Sequence, residues 1–171
     1  SLTWSLAGAA SNGPAAIDSS TGVFTYSPNA DFNGSDSATV NVSDSGLSVG
    51  LLINLTVTPV NDAPVITQGN GPLSYSLNED SNVTFDLNAT DLEGDVLTWS
   101  IASDPSNGTA TVTAATGTVI YVPTADFEGN DSLSLTVSDA TLSDSIVVNL
   151  TVNGVNDAPV ITQGPGPLSL T

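Results

Sequence analysis

SLSLTVS, residues 132–138, alternates apolar and polar side chains without a break. Successive side chains of an extended strand point to opposite faces, so Leu133, Leu135 and Val137 share one face. Ser132, Ser134, Thr136 and Ser138 take the other. Downstream, SIVVNLTV at 145–152 reads as a longer, mostly apolar strand. Upstream, TATVT (109–113) and TVIYV (118–122) flank a turn at AATG, where Gly117 supplies the positive φ such a turn needs. LTWSI (97–101) places Leu97, Trp99 and Ile101 on one face, and LSYSL (73–77) and VTFDLNA (83–89) add two further strands. No segment sustains a 3.6-residue period.

Seven short strands in about 95 residues, punctuated by Gly, Asn, Asp and Pro, predict an all-β fold. The expected form is an antiparallel Greek-key β-sandwich of immunoglobulin-like type. Trp99 and its copy Trp4 sit mid-strand and are expected in the core, not as exposed sugar-stacking platforms. Phe127 and Phe32 are expected to plug a sandwich end.

The same unit occurs twice at an offset of 95 residues, without insertion or deletion, and 1–76 matches 96–171 at 42 of 76 positions. LTWS at 2–5 returns at 97–100, and VNDAPVITQG at 60–69 returns verbatim at 155–164. Near-identical copies at domain spacing predict a tandem array. The expected partition is 1–61 as the C-terminal part of one repeat, 62–156 as a complete repeat and 157–171 as the start of another.

Charge narrows the function. The chain has 18 acidic residues and no Lys, Arg or His, for a net charge of −18. No internal salt bridge is possible, and repulsion excludes nucleic acid and anionic membrane surfaces as partners. No run of 18 apolar residues suggests a membrane span, and no signal peptide is evident. Cysteine is absent, so no disulfide staples the unit, and without lysine no Lys–Asn isopeptide can form. A bound metal is the strong stabiliser that remains.

The acids gather in the connections between strands. They form the groups Asn78-Glu79-Asp80, Asp91/Glu93/Asp95 and Asp126/Glu128/Asp131, followed by Asp139 and then Asn156-Asp157. D-x-E spacing in a tight loop brings two oxygens to one side, which suits the six to eight oxygen ligands of Ca²⁺. Mg²⁺ demands stricter octahedral geometry, and zinc lacks its usual His or Cys. An EF-hand does not fit, because the twelfth position from Asp91 is Ala102 where a bidentate Glu is required. Asp and Asn are also ordinary turn formers, so solvated turns are the competing reading.

The order of these motifs resembles a cadherin-like repeat of the kind found in large bacterial surface adhesins. ATDLEGDVLTWSI (89–101) is similar to the cadherin A-T-D-x-D stretch and the strand after it. TG at 116–117 matches its D-x-x-T-G turn, and ADFEGNDSLSLTVSDA (125–140) its L-D-x-E loop and following strand. VNDAPVI (155–161) resembles the N-D-N-x-P linker, and Asn78-Glu79 the P-E-N corner. The resemblance implies Ca²⁺ at the junctions of successive repeats. It implies Glu79, Asp126, Glu128, Asn156 and Asp157 as ligands after the complete repeat. Between the two copies it implies Asp31, Asn33, Asn61 and Asp62 with Asp91, Glu93 and Asp139. Pro59 and Gly154 replace the linker's first Asp, Ala63 and Ala158 its last Asn, and Asn33 the Glu found at 128. One or two ions per junction are therefore expected.

The functional expectation is a non-enzymatic, extracellular, calcium-stiffened rod segment of a microbial surface adhesin or matrix protein. Its partners would be neighbouring repeats of the same chain or identical subunits, without membrane insertion. Eight N-x-S/T sequons, at Asn33, Asn41, Asn54, Asn82, Asn88, Asn107, Asn130 and Asn149, could carry glycans if the source modifies its surface proteins, although in a chain this rich in Asn, Ser and Thr chance accounts for most of them. The alternative is a subunit of a filament built laterally or by strand donation, with PLSLT (167–171) as a candidate orphan strand.

Overall fold

The computed structural model describes residues 1–159. It divides into two compact units, the first Ser1–Val60 and the second beginning at Asn61. The stretch expected to open a further repeat lies outside the described residues from 160 onward, as does the PLSLT strand.

The first unit holds β1 (Thr3–Gly8), β2 (Ala15–Ile17), β3 (Phe24–Tyr26), β4 (Gly34–Ser43) and β5 (Ser48–Val57). β1, β4 and β5 form an antiparallel sheet in that order, and β2 pairs with β3. The second unit holds β6 (Val65–Ile66), β7 (Leu73–Asn78), β8 (Val83–Asp86), β9 (Ala89–Thr90) and β10 (Thr98–Ser103). It continues through β11 (Gly108–Val112), β12 (Thr118–Pro123), β13 (Gly129–Ser138) and β14 (Ser143–Asn153). One sheet runs β10-β13-β14-β7, the facing sheet β11-β12-β8, and β6 pairs with β9. All seven expected strands of this unit are present in a β-sandwich, and the described residues contain no helix.

The two copies share register as well as sequence. Thr3 pairs Ser43 as Thr98 pairs Ser138, and both ladders shift at the same place, Leu6/Gly8 and Ile101/Ser103.

Alternation produces the core as the sequence implies. Leu133, Leu135 and Val137 of β13 and Ile146, Val148, Leu150 and Val152 of β14 are all buried. They face Phe85, Leu87, Val119 and Tyr121. Trp99 is 5% exposed and belongs to this core. Gly117 adopts a left-handed φ of +70°, and a Cβ there would lie 2.4 Å from the Leu87 carbonyl oxygen and 2.9 Å from Trp99 Nε1. Only glycine closes that turn against the core. Phe127 packs at the core's edge.

Two features depart from expectation. The sandwich is not wholly antiparallel, because β7 pairs with β14 in parallel, Leu73 opposite Val148 through Asn78 opposite Asn153. A repeat that is entered at one end and left at the other makes its first and last strands run the same way. The expected strand at 83–89 also breaks at Leu87–Asn88 into β8 and β9, with β9 paired to the unforeseen β6.

Candidate metal centre

β13 is ten residues long, so its ends lie roughly 30 Å apart. Asp126 and Glu128 precede it and Asp139 follows it, which places acids at both ends of the second unit.

At the opening end, five of the expected residues form one hydrogen-bonded chain. Asn61 Nδ2 donates to Asp139 Oδ2 at 2.8 Å and to the Asp62 carbonyl at 3.1 Å. The Asp62 amide donates to Glu93 Oε2 at 3.1 Å, and the Glu93 amide to Asp91 Oδ1 at 3.1 Å. The Asp95 amide also donates to Asp91 Oδ1, at 3.0 Å. Asp91 Oδ2 is buried without a hydrogen-bond partner. A buried carboxylate oxygen with no donor is costly, and this chain has no side-chain cation to meet it.

Asp139 is itself buried, and its Oδ1 accepts from the Thr141 amide (2.7 Å), the Thr141 hydroxyl (2.8 Å) and the Leu142 amide (2.7 Å). These bonds, led by the Leu142 amide and followed by the Asn61 side chain and the Thr141 amide, hold its carboxyl well below the usual carboxylate range.

At the closing end, carboxylate oxygens of Asp80, Asp126 and Asp157 lie within 4.8 Å of one another, and all three residues are exposed. Asp80 and Asp126 both adopt left-handed backbone, φ 59°, which Asp tolerates better than most residues. Beside them Glu79 is 7% exposed and accepts from the Val155 amide. A Cβ at Gly154 would lie 2.3 Å from Glu128 Oε2 and 3.7 Å from Glu79 Oε1, so both glutamates lie against the linker backbone. An Asp at this linker position would have to displace the flexible end of the Glu128 side chain. Asn156 Nδ2 donates to the Asp157 carbonyl at 3.1 Å, as Asn61 does to Asp62.

Asp31 and Asn33 lie in the corresponding loop of the first unit, both exposed, and Asp31 repeats the left-handed geometry with φ 61°. Asp80, which lies in the closing-end cluster with Asp126 and Asp157, is not among the ligands expected from the sequence. Its signal was its place directly after Glu79 in an acidic corner.

Asp131, grouped in sequence with Asp126 and Glu128, faces inward instead. It accepts from the amides of Ser106 (2.9 Å), Asn107 (2.8 Å) and Ser132 (2.8 Å), and from the Tyr121 hydroxyl (3.0 Å). Burial alone would raise its pKa, and the donated bonds overcome that and lower it. Asp36 repeats the arrangement with Ser11, Asn12, Ser37 and Tyr26, and its pKa is lowered to about 2.

A pH dependence follows with a fixed sign. Carboxyls whose folded pKa is depressed contribute stability that is present above the unfolded value of about 4 and is lost as pH falls through the folded value. Urea unfolding in chelator is expected to give flat stability between pH 7 and pH 5 and a decline below about pH 4. Asp139→Asn is expected to flatten that decline.

The residues fit an oxygen-loving cation: their side-chain donors are carboxylate and amide oxygens, and one buried oxygen is orphaned. Asp91, Glu93, Asp62, Asn61 and Asp139 would hold it at the opening end, and Asp80, Asp126 and Asp157 with Glu79 and Glu128 at the closing end.

The solved structures similar to this chain include human protocadherin-24 EC1-2, with TM-score 0.61 and 20% identity over 91% of this chain and 82% of that one. Human mucin-like protocadherin EC1-2 aligns with TM-score 0.56 and 15% identity over 90% and 85%. These likenesses identify the cadherin-like sandwich. An endo-fucoidan hydrolase of glycoside hydrolase family 107 aligns with TM-score 0.46 and 25% identity over 91% of this chain. The chain spans only 24% of that enzyme's length. No curated protein matches. The family described as Bacterial Ig domain matches residues 1–56 and 61–151, one match for each copy of the repeat. The chain belongs to the bacterial Ig domain family, with repeats of cadherin-like fold.

Proposed function

We propose that this chain is a non-enzymatic extender: a segment of an extracellular rod of a microbial surface adhesin or matrix protein, stiffened by Ca²⁺. The observation that carries the reading is the linked set Asn61, Asp62, Asp91, Glu93 and Asp139, with the partnerless buried Asp91 Oδ2 at its centre. The neighbouring repeat of the array would complete the ligand shell, so that coordination becomes stiffness of the rod.

Without the cation the clustered carboxylates repel. At 4.8 Å a pair costs roughly 1 kcal/mol at the dielectric constant of water and about 3.5 kcal/mol at an effective value of about 20. Extracellular calcium sites of this class bind at about 10⁻⁴ to 10⁻³ M, which suits seawater or host fluids and not cytosol.

The test is thermal unfolding with about 10 mM Ca²⁺ and again with excess chelator. A site with Kd of about 10⁻⁴ M stabilises by about 2.7 kcal/mol at that concentration. That corresponds to about 10 °C or more in Tm for a domain of this size. Asp91→Asn combined with Glu93→Gln is expected to abolish most of the rise. An identical melting curve in Ca²⁺ and chelator would leave the acids as solvated turns and remove the calcium mechanism.

A further inference from the structure

Five asparagines are followed directly by glycine: Asn12, Asn33, Asn70, Asn107 and Asn153. In such a pair no Cβ shields the backbone nitrogen after the asparagine, so that nitrogen can reach the asparagine's own side chain. Once hydroxide has taken its proton, it attacks the side-chain carbonyl carbon, the amide nitrogen leaves as ammonia, and a cyclic succinimide forms. Water then opens the ring at either carbonyl, leaving aspartate or isoaspartate. The sum is hydrolysis of one amide to an acid, with no oxidant and no enzyme. Ring closure needs rotation about the asparagine's Cα–C bond, so a carbonyl or side chain held in place prevents it until that region opens.

The fold holds three of the five. The Asn107 amide donates to Asp131 Oδ2 at 2.8 Å, and its carbonyl accepts from the Thr124 amide at 2.8 Å. A Cβ on Gly108 would lie 2.6 Å from both the Tyr121 ring and the Val122 carbonyl oxygen, so this corner is closed. Asn12 repeats the clamp, with its amide on Asp36 Oδ2 and its carbonyl on the Asn29 amide, each at 2.8 Å. Asn153 Nδ2 donates to Ser76 Oγ at 2.9 Å and to the Leu77 carbonyl at 3.1 Å, while the Asn153 carbonyl accepts from the Glu79 amide.

Two are left open. Asn70 and Gly71 lie exposed between β6 and β7, and among the described residues neither takes part in a hydrogen bond. A Cβ at Gly71 would meet nothing within 4 Å. Just before them the chain is pinned, where Gln68 accepts from the Asn88 amide and donates to the Asp86 carbonyl. Asn33 is exposed in the loop before β4. Gly34 opens β4 opposite Val57, at the end of the ladder away from its hairpin, with φ 115° and open space where a Cβ would stand. Only that last rung has to fray, so Asn33 is the slower of the two.

We propose that Asn70 and Asn33 are sites of spontaneous deamidation, and that at Asn33 the modification supplies with age an acid the first unit lacks. Position 33 is where the second unit has Glu128. The new carboxylate stands two residues after Asp31 and adds one negative charge to that loop. Its use as a Ca²⁺ ligand rests on the extender reading, whereas the deamidation itself does not.

The experiment is prolonged incubation of the 171-residue chain in mildly alkaline buffer with excess chelator, folded and in parallel in concentrated urea. Calcium therefore has no part in the result. Peptides are mapped by mass spectrometry after cleavage at apolar residues, since the chain offers no Lys or Arg to cut. In urea all five asparagines are expected to convert at similar rates. In the folded chain Asn70 is expected to stay within about threefold of its urea rate, with Asn33 behind it. Asn12, Asn107 and Asn153 are expected to be slowed about 100-fold or more, because a local opening must precede each closure. Gly71→Ala is expected to slow Asn70 about tenfold and leave Asn33 unchanged. Asn70 or Asn33 still an amide when the unfolded chain has converted would overturn the proposal. So would Asn12, Asn107 and Asn153 keeping pace with them in the folded chain.

Discussion

Replacing Asp131 by Ala is expected to destabilise the complete repeat by about 3 kcal/mol, because it strands buried donors and does more than delete a charge. Asp131 is 8% exposed and joins three parts of the unit: the Ser106–Asn107 turn, Tyr121 of β12 and the start of β13. Each buried donor left without an acceptor costs about 1–3 kcal/mol. A polar depression lined by Ser106, Asn107, Asn130 and Ser132 lets water reach the vacated place, which keeps the sum from tripling. Asp131→Asn retains one acceptor oxygen but turns an N–H toward the remaining donors, so about half the loss is expected. Tyr121→Phe removes one bond and is expected to cost about 1 kcal/mol. Equilibrium urea unfolding of the four proteins gives the ranking. Equal stability of Asp131→Ala and the parent would mean that Asp131 is a solvated turn residue.

Trp99→Ala is expected to be at least as damaging, about 4 kcal/mol, from lost burial and the cavity left between the sheets. For a domain of this size that lowers Tm by about 16 °C or more. Trp99 is 5% exposed and lies beside the Gly117 turn, so the collapse also loosens the β11–β12 connection. Trp4 in the first unit is only partly buried, and Trp4→Ala is expected to cost less. Scanning calorimetry separates the two. A Trp99→Ala protein that melts with the parent would place this ring outside the core.

The strands were legible because a half-buried strand writes its two faces into alternate residues, as SLSLTVS does. The parallel pairing of β7 with β14 was not, since alternation records which face is buried and not which strand lies alongside. β6 and β9 are two residues each, too short for any period. The inward turn of Asp131 was written in the sequence, for it is in phase with Leu133, Leu135 and Val137, although the sequence reading grouped it with the loop acids Asp126 and Glu128. The opening-end set was found through the order of motifs alone. Asn61 and Asp139 are 78 residues apart, and no local pattern announces their hydrogen bond. Asp80 went unselected because its place beside Asp126 and Asp157 goes with a left-handed backbone, a geometry that composition does not encode.

The most direct test of the calcium account is isothermal titration of Ca²⁺ into the chelator-stripped chain at physiological ionic strength. The account predicts saturable binding at about 10⁻⁴ to 10⁻³ M. Part of it should disappear in the Asp91→Asn, Glu93→Gln protein, and a separate part when Asp80, Asp126 and Asp157 are changed to Asn. Heats that never saturate, or a titration identical in all three proteins, would contradict it.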